Sequence, residues 1–209
     1  LAFHKSVQGS NHIEWGRPCE DASGSYANPE KQYYLAAVSD GHGADECYRA
    51  DKGSKIAVEI AIKDLQELAE KMTRTPEVEA RFYQDMLSSP RYQQMTMRHL
   101  TDVIHAEWVE SVRQDLQDHP PTEAELVSLQ EKKKTNYTVS DRPEQVYGCT
   151  LMAALWMPKC LLLIHQGDGR CDVFYTDGTV DQPIPWDSRC VGTPVSYTHL
   201  RAHETLANL

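Results

Sequence analysis

Acidic residues occur in three short motifs that could together bind metal ions. The segment GRPCED ends in Glu20 and Asp21, VSDGHG contains Asp40 and Gly41, and QGDGR contains Asp168. Asp40 follows the apolar run YYLAAV, which predicts a buried strand whose rigid end would present the carboxylate. Mg2+ and Mn2+ bind carboxylate, carbonyl and water oxygens. The three motifs therefore predict a divalent-cation site.

The context of Asp40 separates it from an ordinary turn residue. A single Asp-Gly pair is most often a tight turn, and we expect Asp177 and Gly178 to form one. Asp40, however, has an acidic pair before it in the chain and QGDGR after it, beyond a long helical region. Gly41 has no Cβ, so its backbone carbonyl could approach a ligand closely.

Two strand-rich regions flank a helical middle and would position these motifs. Residues 1–43 consist of short strand-like segments separated by Gly, Asn and Pro. Apolar spacings of three and four predict one helix over 44–72 and a second over 97–118, which Pro120 would end. From Val146 the segments GCTLMAALW, CLLLIHQGDG and RCDVFYTDG predict antiparallel strands. This order is typical of an α+β fold.

The segments between the predicted helices and strands are polar and less regular. TRTPEVEARFYQDMLSSPRYQQ gives no clear period, and TEAELVSLQEKKKTNYTVSDRPEQ predicts a short helix and a loop. We interpret Lys132 to Lys134 as a solvated face, because a run of like charges is usually exposed to water.

The composition is typical of a globular chain and argues against several partners. The net charge of −10 disfavours nucleic acid, and no apolar run in the 209 residues is long enough to span a bilayer. The six scattered cysteines lack the spacing of a zinc or dithiol site, which predicts free thiols in a reducing compartment. We therefore expect a cytoplasmic protein with neither a nucleic-acid nor a membrane partner.

In motif content and order, residues 3–192 resemble the metal-dependent serine/threonine protein phosphatases of type 2C, the PPM family. NHIEWGRPCEDA is similar to the opening motif of the family, VSDGHG to its central Asp-Gly motif, and GCT…QGDGR to its later Gly-Asp-Ser-Arg motif. Gly169 stands where serine is common. The resemblance implies an α+β fold in which an antiparallel β-sandwich is flanked by helices.

The resemblance also implies a set of metal ligands. Asp40 would bridge two Mg2+ or Mn2+ ions, and the carbonyl of Gly41 would bind one of them. Glu20 and Asp21 would complete the coordination of the second ion, directly or through water. Because neighbours in a strand point to opposite faces, we expect one of this pair to bind directly. Asp168 matches the position of a third, weaker metal site, with a structural turn as the alternative.

Three basic residues are candidates for the remaining chemistry that the resemblance implies. A water activated by the metals would attack the phosphorus in line. His42 would act as general acid for the leaving oxygen, with a turn residue that plays no part in catalysis as the alternative. Arg17 could clamp the phosphate with its guanidinium, or remain a surface arginine. His12 is the other phosphate candidate.

The resemblance fails near the end of the chain. Two late aspartates that complete the metal site of the family are not found, and the final PVSYTHLRAHETLANL resembles a translated sequencing adapter. We therefore expect a partial phosphatase domain over residues 1–193 and a non-native tail over residues 194–209. His199 and His203 would then not be metal ligands, although their i, i+4 spacing is typical of zinc sites.

The resemblance implies a Mg2+- or Mn2+-dependent enzyme that acts on phosphoserine and phosphothreonine in proteins, and we expect it to be bacterial and monomeric. As written, the chain is expected to be weak or inactive. The alternative is a non-catalytic, phosphatase-like module that binds phosphoproteins or regulates a partner. A different metal-dependent hydrolase on an unrelated α+β scaffold is a third hypothesis.

Overall fold

The computed structural model describes residues 1–44, 46–127 and 143–184, together with the backbone of Thr205–Ala207. The hypotheses on Lys132 to Lys134, His199 and His203 lie outside the described residues. No helix within the described ranges is both long and apolar enough to cross a membrane.

Antiparallel strands form the platform of the fold. A five-stranded sheet has the order β1-β2-β3-β4-β7, and β5 and β6 form a separate two-stranded sheet. The strands are β1 (Ala22–Asn28), β2 (Tyr33–Ser39), β3 (Leu151–Met157), β4 (Cys160–Gln166), β5 (Val173–Phe174), β6 (Val180–Asp181) and β7 (Thr205–Ala207).

Alternation of apolar residues directs one face of this sheet toward the helices. In β2, Leu35 and Ala37 are buried while Ala36 and Val38 are exposed. β4 instead is buried along almost its whole length, as expected for a strand covered on both faces. The β1–β2 hairpin pairs Ala22 with Ser39, so the acidic pair before β1 and the aspartate after β2 lie at the same sheet edge.

The helices include α1 (Ser10–Glu14), α2 (Ala50–Met72), α3 (Pro76–Ser88) and α4 (Pro90–Asp118), with a 3-10 helix over Pro143–Tyr147. α2 packs on β1, β2 and β3, and α4 packs on α2. The predicted apolar stripe of α4 is buried, with Trp108 1% exposed and its indole N–H donating to the carbonyl of Gly53 at 3.0 Å.

The α+β class with antiparallel strands is confirmed. Within the described ranges the large sheet is single, with the β5–β6 ribbon beside it, and the helices lie on one face. The sequence predicts that RCDVFYTDG forms another antiparallel strand after β4. In the structure this segment contains only the two-residue β5, which pairs with β6.

Helix boundaries differ from the predictions for identifiable reasons. TRTPEVEARFYQDMLSSPRYQQ contains α3 and the start of α4, because Pro76 and Pro90 occupy first helical positions, where proline is tolerated. Thr75 and Ser89 cap these helices, accepting from the N–H groups of Val78 and Tyr92 at 3.3 and 3.2 Å.

The beginning of the chain also departs from the predictions, and β7 lies in the predicted tail. Residues 1–9 form no strand, and Ser10–Glu14 is helical where strands were expected. Near the other end, β7 lies in the predicted non-native tail yet pairs with Leu161–Leu163 of β4. Without β7, that edge of β4 would present unpaired backbone groups, which any extended segment can satisfy.

Candidate metal and phosphate site

The three acidic motifs meet at one end of the sheet, around a cleft of about 300 Å³. Asp21 precedes β1, Asp40 follows β2, and Asp168 follows β4; all three line the cleft. Strand ends that lie side by side in one sheet therefore bring together carboxylates that are far apart in the chain.

Asp40 is held by two backbone contacts to Thr150. The N–H of Thr150 donates to the Asp40 carbonyl at 2.8 Å, and the N–H of Asp40 donates to the Thr150 hydroxyl oxygen at 3.0 Å. Ser39 adds a hydrogen bond from its hydroxyl to the Thr150 carbonyl. These bonds fix the backbone from which the Asp40 carboxylate projects.

Asp21 and Asp40 form a close carboxyl pair. Partial burial, the hydrogen bond shared with Asp21 and the negative charges of Asp21, Asp168 and Glu20 raise the pKa of Asp40 to about 6. A cation bound next to Asp40 would stabilise its ionised carboxylate and would therefore lower its pKa.

Glu20 is not among the residues that line the cleft, whereas Asp21 is. Glu20 is buried, and its Oε1 accepts a hydrogen bond from Arg17 Nη2 at 2.7 Å. Its Oε2 is also buried and has no hydrogen-bond partner in the described part of the chain. Such an atom loses its hydration without replacement, which is costly unless a ligand compensates.

Gly41 is required by its neighbours. A Cβ at this position would lie 2.5 Å from the carbonyl oxygen of Glu20 and 3.1 Å from the Cβ of Ala50. Gly41 and Cys149 form an isolated bridge whose hydrogen bonds are made by the flanking residues. The Gly41 carbonyl therefore points away from Cys149 and remains oriented for another ligand.

His42 lies beside the cleft but does not line it. Its backbone N–H donates to the carbonyl of Gly148 at 2.9 Å, and its Nε2 is buried with no partner in the described ranges. Burial lowers the pKa of His42, and the nearby charge of Asp168 opposes that effect. The neutral imidazole is thus favoured in the metal-free chain.

The two phosphate candidates lie outside the cleft. Arg17 spans from Glu20 to the carbonyl of Gly43, the latter at 3.4 Å. His12 lies on α1, and neither side chain is among those lining the cleft. Arg17 is therefore an ion-pair partner of Glu20 in this structure.

Sequence reasoning missed the basic residue that does line the cleft, Lys5. Its segment runs beside β1, where Ser6 and Ser23 share a hydrogen bond between hydroxyls at 2.8 Å. A lysine in a short polar segment carries no signal of its own. The proximity of Lys5 to the carboxylates is set entirely by the path of residues 1–9.

The carboxylates do not by themselves form a closed metal site. Within the described ranges, no group of three or more His, Cys, Asp or Glu side chains has a geometry that could hold an ion. Mg2+ usually keeps several waters and is bound through one or two carboxylates. The pair of Asp21 and Asp40 fits that mode of binding better than a complete protein cage.

The chain belongs to the protein phosphatase 2C family, whose family model matches residues 8–204. The match extends past Pro194, where the sequence predicts the natural domain to end. That boundary stays a prediction. No curated protein shows significant similarity to the chain.

Solved structures of bacterial phosphatases are similar to the chain at low identity. Two mutant forms of a bacterial serine phosphatase are 17% and 16% identical, with TM-scores of 0.49 and 0.48, over 91% and 90% of this chain and 64% of theirs. The Mycobacterium tuberculosis serine/threonine phosphatase PstP/Ppp is 16% identical, with a TM-score of 0.47, over 90% of this chain and 66% of its own. The chain thus spans about two thirds of the length of these proteins.

Proposed function

We propose that the chain is a phosphatase domain that hydrolyses phosphoserine and phosphothreonine in proteins with the help of Mg2+ or Mn2+. The observation that supports this most is the convergence of Asp21, Asp40 and Asp168 on one cleft, each from the end of a neighbouring strand. Membership of the protein phosphatase 2C family points to the same chemistry.

The residues present fit a hard divalent cation. Asp40 and Asp21 would supply carboxylate oxygens, and Gly41 would supply a carbonyl oxygen that its bridge to Cys149 leaves unused. A cation would also offset the partial burial and the neighbouring negative charges that raise the pKa of Asp40. Glu20, with a buried unpartnered oxygen, could bind through water. When bound, the metals would lower the pKa of a water and neutralise developing charge on the phosphoryl group.

The protein groups have separate tasks in this proposal. Thr150 fixes the backbone of Asp40, and the absence of a side chain at Gly41 lets this backbone lie against Glu20. His42 would donate a proton to the leaving oxygen from its protonated form, which burial disfavours and Asp168 favours. Asp168 would hold a further, weaker ion or keep His42 protonated.

The experiment is Mn2+-dependent hydrolysis of p-nitrophenyl phosphate and of a phosphothreonine peptide by the purified chain. The proposal expects weak turnover that requires Mn2+ and is lost in Asp40→Asn. Turnover that is unchanged in Asp40→Asn would contradict it.

A non-catalytic module remains the second candidate, favoured because no group of three or more acidic, histidine or cysteine side chains in the described ranges could hold an ion. That reading expects the chain to bind a phosphopeptide without hydrolysing it, and binding should be unaffected by Asp40→Asn. Loss of peptide binding in that variant would argue against it.

A further inference from the structure

The cleft that contains the acidic pair has a single basic side chain among the described residues that line it. Asp21, Asp40 and Asp168 supply its negative charge, and Lys5 supplies the positive charge. A phosphomonoester is dianionic near neutral pH and would be repelled by three carboxylates. A cation at the rim of the cleft would therefore decide how well the phosphoryl group is held.

The residues on either side of Lys5 form side-chain hydrogen bonds to β1. His4 Nδ1 and the hydroxyl of Ser25 are 2.9 Å apart, and Ser6 and Ser23 share a hydrogen bond at 2.8 Å. These contacts follow an antiparallel order along β1. They fix the backbone of Lys5 at the cleft while its side chain remains exposed.

Arg17, which the sequence suggests as a phosphate-binding residue, is paired with Glu20 in the structure. Its guanidinium donates to the buried Glu20 at 2.7 Å, and it does not line the cleft. Moving Arg17 into the cleft would leave the Glu20 carboxylate buried without its partner, which is costly. Lys5 has no such ion-pair partner within the described ranges.

We propose that Lys5, and not Arg17, is the side chain that binds the phosphoryl group of the substrate in this cleft. The inference rests on the proposed function and deepens it. Lys5 holds the anion as a point charge at the end of a flexible stem, without the bidentate geometry of arginine. It would hold both the substrate and the phosphate product.

Binding of inorganic phosphate to the Mn2+-loaded chain tests this role without requiring turnover. Titration calorimetry should show weaker binding in Lys5→Met by about tenfold to a hundredfold, the equivalent of one charge-assisted hydrogen bond. Lys5→Arg should retain most of the affinity. The matched control is Lys71→Met on α2. The Lys71 side chain is 71% exposed and pairs with Glu67, and this variant should bind phosphate normally.

The affinity for Mn2+ in the absence of phosphate separates binding from a structural role. Lys5→Met should bind Mn2+ equally or more tightly, because a nearby positive charge has been removed. Unchanged phosphate affinity in Lys5→Met, no phosphate binding by the unmodified chain, or equal losses in Lys71→Met would each overturn the inference.

Asp40→Asn distinguishes failure of this inference from failure of the proposed function. Unchanged Mn2+ affinity in that variant contradicts the proposed function. Normal Mn2+ loading combined with unchanged phosphate affinity in Lys5→Met contradicts only the role of Lys5.

Discussion

Asp21 and Asp40 line the same cleft at one end of the sheet, although one precedes β1 and the other follows β2. The hairpin register, which pairs Ala22 with Ser39, places them side by side. Partial burial and the neighbouring Asp21 carboxyl raise the pKa of Asp40 to about 6, so ionisation of Asp40 carries a cost. The same arrangement becomes favourable when a cation neutralises it.

The stability of the metal-free chain should therefore depend on Asp40 and pH. Partial burial and the neighbouring acids raise the pKa of Asp40 from 3.8 to about 6 in the folded chain. The proton on Asp40 stabilises the folded chain. This stabilisation is fully present below the pKa that Asp40 has in the unfolded chain, and it is lost as the pH rises through about 6. Urea unfolding of the metal-free chain measured against Asp40→Asn should show the wild type losing relative stability between about pH 4 and pH 7.

Adding Mn2+ at pH 7 should reverse that loss in the wild type and have little effect on Asp40→Asn. A difference between the two proteins that does not change with pH would show that the carboxyl pair is not strained in the folded chain. If the wild type instead gained stability relative to Asp40→Asn as the pH rises, folding would lower the pKa of Asp40 and not raise it.

Alanine at Gly41 should disrupt the site by direct collision. Its Cβ would meet the Glu20 carbonyl oxygen at 2.5 Å, and backbone cannot move aside as a flexible side chain can. We expect Gly41→Ala to lower the free energy of unfolding by about 2 kcal/mol or more, as overpacking does. Gly9→Ala is the control, because a Cβ there meets nothing within 4 Å. Equal stabilities of the two variants in urea denaturation would contradict the close approach.

The general-acid role of His42 predicts a dependence on the leaving group. His42→Gln should slow hydrolysis of a phosphothreonine peptide, whose alkoxide needs a proton, by about 100-fold or more. Hydrolysis of p-nitrophenyl phosphate should change much less, because its leaving group is stable without protonation. Equal losses of kcat on both substrates would indicate that His42 acts only by shaping the loop around Gly148.

A buried cluster behind the site should contribute to stability more than a surface ion pair. Arg49 is 5% exposed and donates to the Tyr147 hydroxyl at 2.9 Å and to Glu125 at 3.2 Å. This cluster anchors the 3-10 helix that leads into Thr150 and so to Asp40. Arg49→Met should lower the free energy of unfolding by about 3 kcal/mol, because its acidic partners lose their counter-charge.

Arg81→Met is the matched control for Arg49→Met. Arg81 pairs with Asp85 at 3.6 Å on α3, and its side chain is 83% exposed. Its loss should change the free energy of unfolding by no more than about 0.5 kcal/mol. Similar effects of the two substitutions in chemical denaturation would mean that the Arg49 cluster is not a source of stability.

Strong turnover by the chain as written would count against the prediction that it lacks part of its metal site. The sequence predicts weak or absent activity, because the two late aspartates of the family are not found. Initial rates at saturating Mn2+ decide this. Robust hydrolysis of p-nitrophenyl phosphate that is lost in Asp40→Asn would show that the missing aspartates are not essential.

The sequence predicted the elements whose signals are local. The run YYLAAV predicted β2, and the apolar spacing from Leu100 to Val112 predicted the buried face of α4. It missed α3 because the polar segment TRTPEVEARFYQDMLSSPRYQQ shows no clear apolar period, although Thr75 caps the helix and Pro76 starts it. The polar TEAELVSLQEKKKTNYTVSDRPEQ could be compared only in part, since residues 128–142 lie outside the described ranges.

At the site, the sequence identified the acidic motifs but did not predict which of their side chains face the cleft. Alternation predicted that Glu20 and Asp21 point apart, and the structure places Asp21 in the cleft and Glu20 against Arg17. Which of the two faces the cleft depends on the hairpin register, which motif spacing does not reveal. The position of Lys5 depends on tertiary contacts alone.

The affinity of the chain for Mn2+, measured by electron paramagnetic resonance for the wild type and Asp40→Asn at pH 7, tests the central claim most directly. The proposed site predicts saturable binding by the wild type, weakened at least about tenfold in Asp40→Asn, which corresponds to about 1.4 kcal/mol. Equal affinity in the two proteins, or no binding by the wild type, would contradict a metal site at Asp21 and Asp40.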